Sequence, residues 1–151
     1  MRIKTIPDDF YVQEEIDLAL RDRGPWAVYR VRKVGVTTLD VQTRLASQLG
    51  LGRNRVVFPA LKDRDAIAVQ YATLPAGLPE RVEGAGFAAQ RVGYRLRPLA
   101  PADLRGNAFS LVLRDMEAPE ASRVSRRLEE LARYGLPNYF DDQRFGSLPA
   151  Q

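Results

Sequence analysis

An α+β domain is predicted, built on a mostly antiparallel mixed sheet with two main helices. Three observations point there: period-two strand patterns outnumber helical ones, no β-helix-β alternation is kept up, and only two stretches repeat apolar residues at helical spacing. Residues 3–15 read as extended, with Pro7 and the Asp8-Asp9 pair making a turn and Phe10-Tyr11-Val12 supplying β-propensity. After a polar break at 21–25, residues 26–33 alternate Ala27, Tyr29 and Val31 against Val28, Arg30 and Arg32, a strand with a partly basic face. Thr37 or Thr38 caps a short helix whose stripe is Val41, Leu45 and Leu49 and which Gly50 stops. Val56-Val57-Phe58 reads as a buried strand, and Ile67, Val69 and Tyr71 as the strand that leaves the loop between them. Residues 75–86 are a loop rich in Pro and Gly. Val92, Tyr94 and Leu96 then alternate with Arg91, Arg95 and Arg97, and Phe109, Leu111 and Leu113 repeat the pattern after a Gly106-Asn107 turn. Val124, Leu128 and Leu131 mark the second helix, which Gly135 ends.

A chain of 151 residues with 45% apolar side chains is long enough for one domain with a core of its own. It has no apolar run near the roughly 20 residues of a membrane span and no apolar leader after Met1, so no membrane association and a cytoplasmic location are expected. Cysteine and histidine are absent, which excludes disulfides, thiol nucleophiles, imidazole bases and the usual zinc sites. Acid-base or nucleophilic chemistry must then fall to carboxylates. The net charge of +4 favours an anionic partner. Lysine occurs only at 4, 33 and 62, so arginine, whose planar fork suits phosphate and ring contacts, carries most of that charge.

Two segments suggest chemistry on RNA. In Lys62-Asp63-Arg64 a carboxylate sits between cations that keep it ionised and able to act as nucleophile or base. In an extended stretch its neighbours point to the opposite face, free for phosphates. From the residues alone the triplet is also a solvated turn whose ion pairs are worth about 0–1 kcal/mol. The second segment, Asn138-Tyr139-Phe140 followed by Gln143-Arg144-Phe145-Gly146, offers a planar ring, an amide and an arginine. The arginines at 30, 32, 91, 95 and 97, with Lys33, lie on strand faces where tRNA phosphates could be met, with salt-dependent affinity.

Both segments resemble motifs of the TruD family of tRNA pseudouridine synthases. The run from Phe58 to Gln70 is similar to that family's catalytic-aspartate motif, and Asn138 to Gly146 to its N-Y-F-G-x-Q-R-F-G signature. Pro7-Asp8-Asp9-Phe10 and Gly106-Asn107-Ala108-Phe109 match two further blocks in the same order, so the likeness spans nearly the whole chain. The chain departs from the pattern at Pro59-Ala60, Ala68 and Asp141.

The resemblance implies a partial pseudouridine synthase catalytic domain. Residues 1–151 would be its N-terminal portion, with the inserted domain and the C-terminal portion absent. It implies isomerisation of a tRNA uridine, position 13 by family analogy, with Asp63 catalytic and no metal or organic cofactor. Phe140 would be the platform for the flipped base. Asn138 would bond the Asp63 loop or the substrate, Phe10 would line the pocket, and Lys4 would pair with the carboxylate. Lys62, Arg64 and Arg144 are the candidates for phosphates. An incomplete sheet would leave residues 1–151 inactive by themselves and prone to self-association through an open edge. Two other classes stay open: a catalytically silent RNA-binding module, and a glycoside hydrolase using Asp63 and Asp65, which lacks clustered aromatic subsites.

Overall fold

The computed structural model describes residues 1–136 and divides into two compact units, Met1–Arg114 and the segment from Asp115 onward. The first holds a six-stranded sheet in the order β4-β5-β2-β3-β1-β6. Its strands are β1 (Phe10–Ile16), β2 (Trp26–Val34), β3 (Ile67–Pro75), β4 (Arg81–Gly84), β5 (Phe87–Arg95) and β6 (Leu104–Leu111). Only β1 and β3 pair in parallel, Val12 opposite Ala68; the other pairings are antiparallel. The expected α+β architecture is therefore present.

One helix, α1 (Thr38–Gln48), packs on this sheet. Its start is set by a capping box: the Asp40 N–H donates to the Thr37 hydroxyl and the Thr37 N–H to the Asp40 carboxylate. Gly50, at φ 64°, supplies the left-handed conformation beyond its end. Val41 and Leu45 of α1 meet Ala27, Tyr29 and Val31 of β2, Ala72 and Leu74 of β3, and Phe87 and Ala89 of β5. Truncating a fully buried leucine such as Leu45 typically costs about 2–5 kcal/mol. The Tyr29 hydroxyl, deep in this core, donates to the Pro79 carbonyl at 2.6 Å.

Four local expectations need correction. Val56-Val57-Phe58 forms no strand; Val57 makes one isolated bridge to Thr73, so residues 58–66 leave the sheet as a loop. The loop expected over 75–86 contains β4, a short edge strand whose single buried residue is Val82. Gly106 and Asn107 are not a turn but lie inside β6, opposite Glu15 and Glu14. In β5 the register shifts by one residue between Val28 and Tyr29, leaving Val92 as an extra residue. Past it Tyr94 takes the core side and Arg95 turns to the other face, where it is buried, so the basic face expected there is not a simple alternation.

Asp103 explains the burial of Arg95. Its carboxylate accepts from Arg95 at 3.1 Å, from Arg97 and from the Ala100 N–H. The second unit contributes α2 (Ala118–Tyr134), as expected from its apolar spacing, with Gly135 at φ 78° beyond its end.

Burial opposes ionisation of Asp103, but the bonds from Arg97, Ala100 and Arg95, with the charge of Arg95, bring its pKa down to about 2. A carboxyl whose folded pKa lies below its unfolded value stabilises the fold above the unfolded pKa and loses that contribution as pH falls through the folded one. The thermal midpoint is expected to drop between about pH 4 and about pH 2, and Asp103→Asn should flatten part of that drop. Equal acid slopes in both proteins, measured by circular dichroism melts, would refute the assignment.

Candidate active site

The cleft that gathers the candidate residues lies on the face of the sheet that α1 also covers, over β1 and β6. Alternation puts Phe10, Val12 and Glu14 on that face of β1, and antiparallel register sets Leu111, Phe109 and Asn107 of β6 opposite them. The loop of residues 58–66 closes the third side with Leu61, Lys62 and Asp63. The result is a cleft of about 200 Å³, walled by Phe10, Val12, Asn107 and Phe109. The Phe10 and Phe109 rings stack with centroids 5.9 Å apart and planes 3° from parallel.

Asp63 stands at this cleft with its side chain 60% exposed. Lys4 Nζ lies 2.9 Å from its Oδ2 and 4.0 Å from the centroid of the Phe10 ring. Lys4 itself has φ 51°, a left-handed conformation that a non-glycine residue adopts at some cost and that clusters at functional positions. The segment is held there by Asp9, which is buried and accepts from the Thr5 and Ile6 N–H groups and from Arg114. The Arg114 bond is the main reason that the Asp9 pKa is lowered, ahead of the opposing effect of burial. So three of the expected site residues, Asp63, Lys4 and Phe10, come together, and the early Pro7-Asp8-Asp9-Phe10 block is a brace for one of them.

Lys62 departs from its expected phosphate role. Its ammonium is turned inward, 3.0 Å from Glu14 Oε1, with side-chain exposures of 6% and 0% for the pair. Glu14 Oε2 accepts from the Tyr71 N–H at 2.8 Å, so the pair ties loop, β1 and β3 together. Burial raises the Glu14 pKa, opposed by its bonds to Lys62 and Tyr71 and by the Lys62 charge. Lys33, expected on a basic face, is also buried: its Nζ donates to the Val36 carbonyl at 2.9 Å and to the Asp63 carbonyl. Burial lowers its pKa, against the charges of Asp63 and Asp65 and with that of Lys62. Arg30, Arg32 and Arg64 are exposed. Asn138, Phe140, Gln143 and Arg144 lie outside the described residues.

Asn107, Phe109 and Glu14 were not singled out as site residues from the sequence. The Asn107 Oδ1 is buried and accepts no hydrogen bond within the described structure. Their signal is the pairing of β1 with β6, which period-two alternation could expose only once the partner strand is known. Among the described residues no cluster of acidic, His or Cys side chains could hold a metal ion, and no helix is long and apolar enough to cross a membrane.

The family model described as tRNA pseudouridine synthase D (TruD) matches residues 1–150. The chain is 35% identical over 150 residues to tRNA pseudouridine synthase D of Proteus mirabilis, covering 96% of this chain and 42% of that protein. It is 33% identical over 153 residues to the protein of the same name from Vibrio campbellii, covering 97% of this chain and 44% of the relative. It thus spans less than half the length of these relatives. A solved structure from Methanosarcina mazei, described as a candidate tRNA pseudouridine synthase D, shares the fold at a TM-score of 0.87 and 22% identity, over 96% of this chain and 35% of its own.

The buried pair predicts a distinct response to mutation. Lys62→Met leaves the Glu14 carboxylate without its cation and is expected to cost about 3–5 kcal/mol at neutral pH. Because the folded Glu14 pKa is raised, that penalty is present above the folded pKa and fades as pH falls toward the unfolded value of 4.5. Adding Glu14→Gln should restore most of the stability. Chemical denaturation at several pH values checks this, and a loss independent of pH would contradict it.

Proposed function

We propose a function from one premise: this chain belongs to the tRNA pseudouridine synthase D family. The reading is that it forms part of an enzyme of the cytoplasm that converts a uridine of tRNA, position 13 by family analogy, to pseudouridine. The observation that carries it is Asp63 at the edge of a cleft walled by two stacked phenylalanines, with a lysine 2.9 Å from its carboxylate.

The chemistry suits that site. The bond from N1 of uracil to C1′ of the ribose breaks, the ring turns, and C5 is joined to C1′. C5 gives up its proton and N1 gains one, so no electrons are exchanged with an outside group. Asp63 acts on the ribose or the base during this step, Lys4 holds the carboxylate at the cleft, and the aromatic wall supports the extruded ring. Unstacking a base costs a few kcal/mol, and an aromatic platform returning about 1–3 kcal/mol per base offsets much of it. Family analogy assigns Phe140 and Asn138 to the base, and Arg64 and Arg144 to phosphates. Lys62 is given a supporting role, since its ammonium faces Glu14. Self-association through the sheet edges β4 and β6 belongs to the same reading for residues 1–151 taken alone.

A catalytically silent RNA-binding module is the rival class, and turnover separates the two. Tritium released from tRNA labelled at C5 of uridine is expected with the whole protein and should fall to background with Asp63→Asn. Retained release would remove Asp63 from the reaction, and none from the wild type would favour the binding module. Residues 1–151 by themselves are expected to release none; full turnover by them would contradict the need for a further segment.

A further inference from the structure

We infer that Lys33 is a positioning residue, which fixes the Asp63 loop from beneath by bonding the Asp63 carbonyl and never touches substrate. The inference rests on the role proposed for Asp63. Lys33 sits near the end of β2, between Ala68 of β3 and Phe87 of β5, and is fully buried. Its ammonium joins two segments: the β2–α1 turn through the Val36 carbonyl at 2.9 Å, and the loop through the Asp63 carbonyl. The preceding residue is held from the other side, since the Lys62 N–H donates to the Thr38 hydroxyl at 2.9 Å. Thr38 is itself locked by donating to Gln70 on β3. The Lys62–Asp63 peptide is therefore bracketed at its outer N–H and its outer carbonyl by two side chains from β2 and α1.

Satisfying two carbonyls does not by itself call for a charged donor. A buried ammonium is costly unless it is paired and hydrogen-bonded, and within the described structure Lys33 bonds carbonyls only, while the Asp63 carboxylate turns outward to Lys4. Replacing Lys33 by an apolar side chain of similar length removes that cost but leaves the Val36 and Asp63 carbonyls without this donor, so the two effects on stability oppose each other. What a methionine could not supply is the donor that sets where the Asp63 backbone sits. Since a misplacement of about 1 Å can reduce a rate by about 10²-fold, a fixed carbonyl is a direct way to aim the carboxylate.

The test is Lys33→Met in the whole protein. Its kcat on substrate tRNA, taken per folded molecule, is expected to fall by about 10²-fold with KM unchanged. Hydrogen exchange at residues 61–65 should accelerate while β2 and β3 keep their protection. A merely structural lysine would lower the folded fraction and leave kcat per folded molecule intact. Should Lys33→Met fail to fold, Thr38→Val releases the other end of the same peptide and is judged by the same two measurements. Unchanged kcat, or unchanged loop exchange, overturns the inference. Wild-type protein that makes no pseudouridine sinks the proposed function instead, and loop exchange still decides whether the bracket exists.

Discussion

A backbone that leaves a sheet cannot be left dry, and the placement of Asp63 follows from how that demand is met. Residues 58–66 form no ladder, and where the loop turns inward its backbone groups are met by side chains from elsewhere. Thr38 takes the Lys62 N–H, Lys33 takes the Asp63 carbonyl, and the Lys62 ammonium is drawn to Glu14. Each of these groups comes from a different element, β2, α1 or β1, and all are buried. The loop is therefore tied at three points, although it carries no regular structure. That is what a carboxylate needs if it is to meet a reacting atom without reorganising.

Polar burial is concentrated around these contacts and around two buried carboxylates. Asp9 gathers two backbone N–H groups and Arg114 to hold the strained turn at Lys4, and Asp103 gathers Arg95, Arg97 and Ala100 at the far end of β5. Both have lowered pKa values, and in both the arginine is part of the cause. Part of the arginine excess is thus structural. The net charge of +4 still falls on the surface, because the inward Lys33, Lys62 and Arg95 are matched by the buried carboxylates of Asp9, Glu14 and Asp103.

Where apolar period and capping agreed, the sequence was easily read: α1 begins and ends where Thr37 and Gly50 put it, and α2 ends at Gly135. The strands β1 and β2 were visible through alternation, and β3 through Ile67, Val69 and Tyr71, although it is buried on both faces. β5 was visible as a strand, but its inserted Val92 inverts the faces, and no single-chain pattern announces a bulge. β4 was hidden by its length, four residues with one buried. For the cleft, Asp63, Lys4 and Phe10 were legible through motif likeness. The inward turn of Lys62 and Lys33 was not, since a lysine beside a charged neighbour, Asp63 or Arg32, reads as surface until the carboxylate or carbonyl that receives it is placed in space. Asn107 and Phe109 depended on strand pairing over some ninety residues of separation, roughly the span that makes such contacts slow to form and hard to infer.

The geometry at Lys4 has a further consequence for how a guest would enter. One ammonium serves both the Asp63 carboxylate and the face of the Phe10 ring, at 2.9 Å and 4.0 Å. An exposed ion pair of this kind is weakly held, worth about 0–1 kcal/mol, so it yields easily to a better partner. Any flat ring seeking the Phe10 face must move that ammonium aside, whereas one resting on Phe109, a residue 64% exposed, need not. Stacking on Phe109 leaves the pair with Asp63 intact while water is excluded, and exclusion of water strengthens it. The exposed ring is therefore the better seat, with the Phe10 ring, parallel to it, serving as backing that keeps the platform flat.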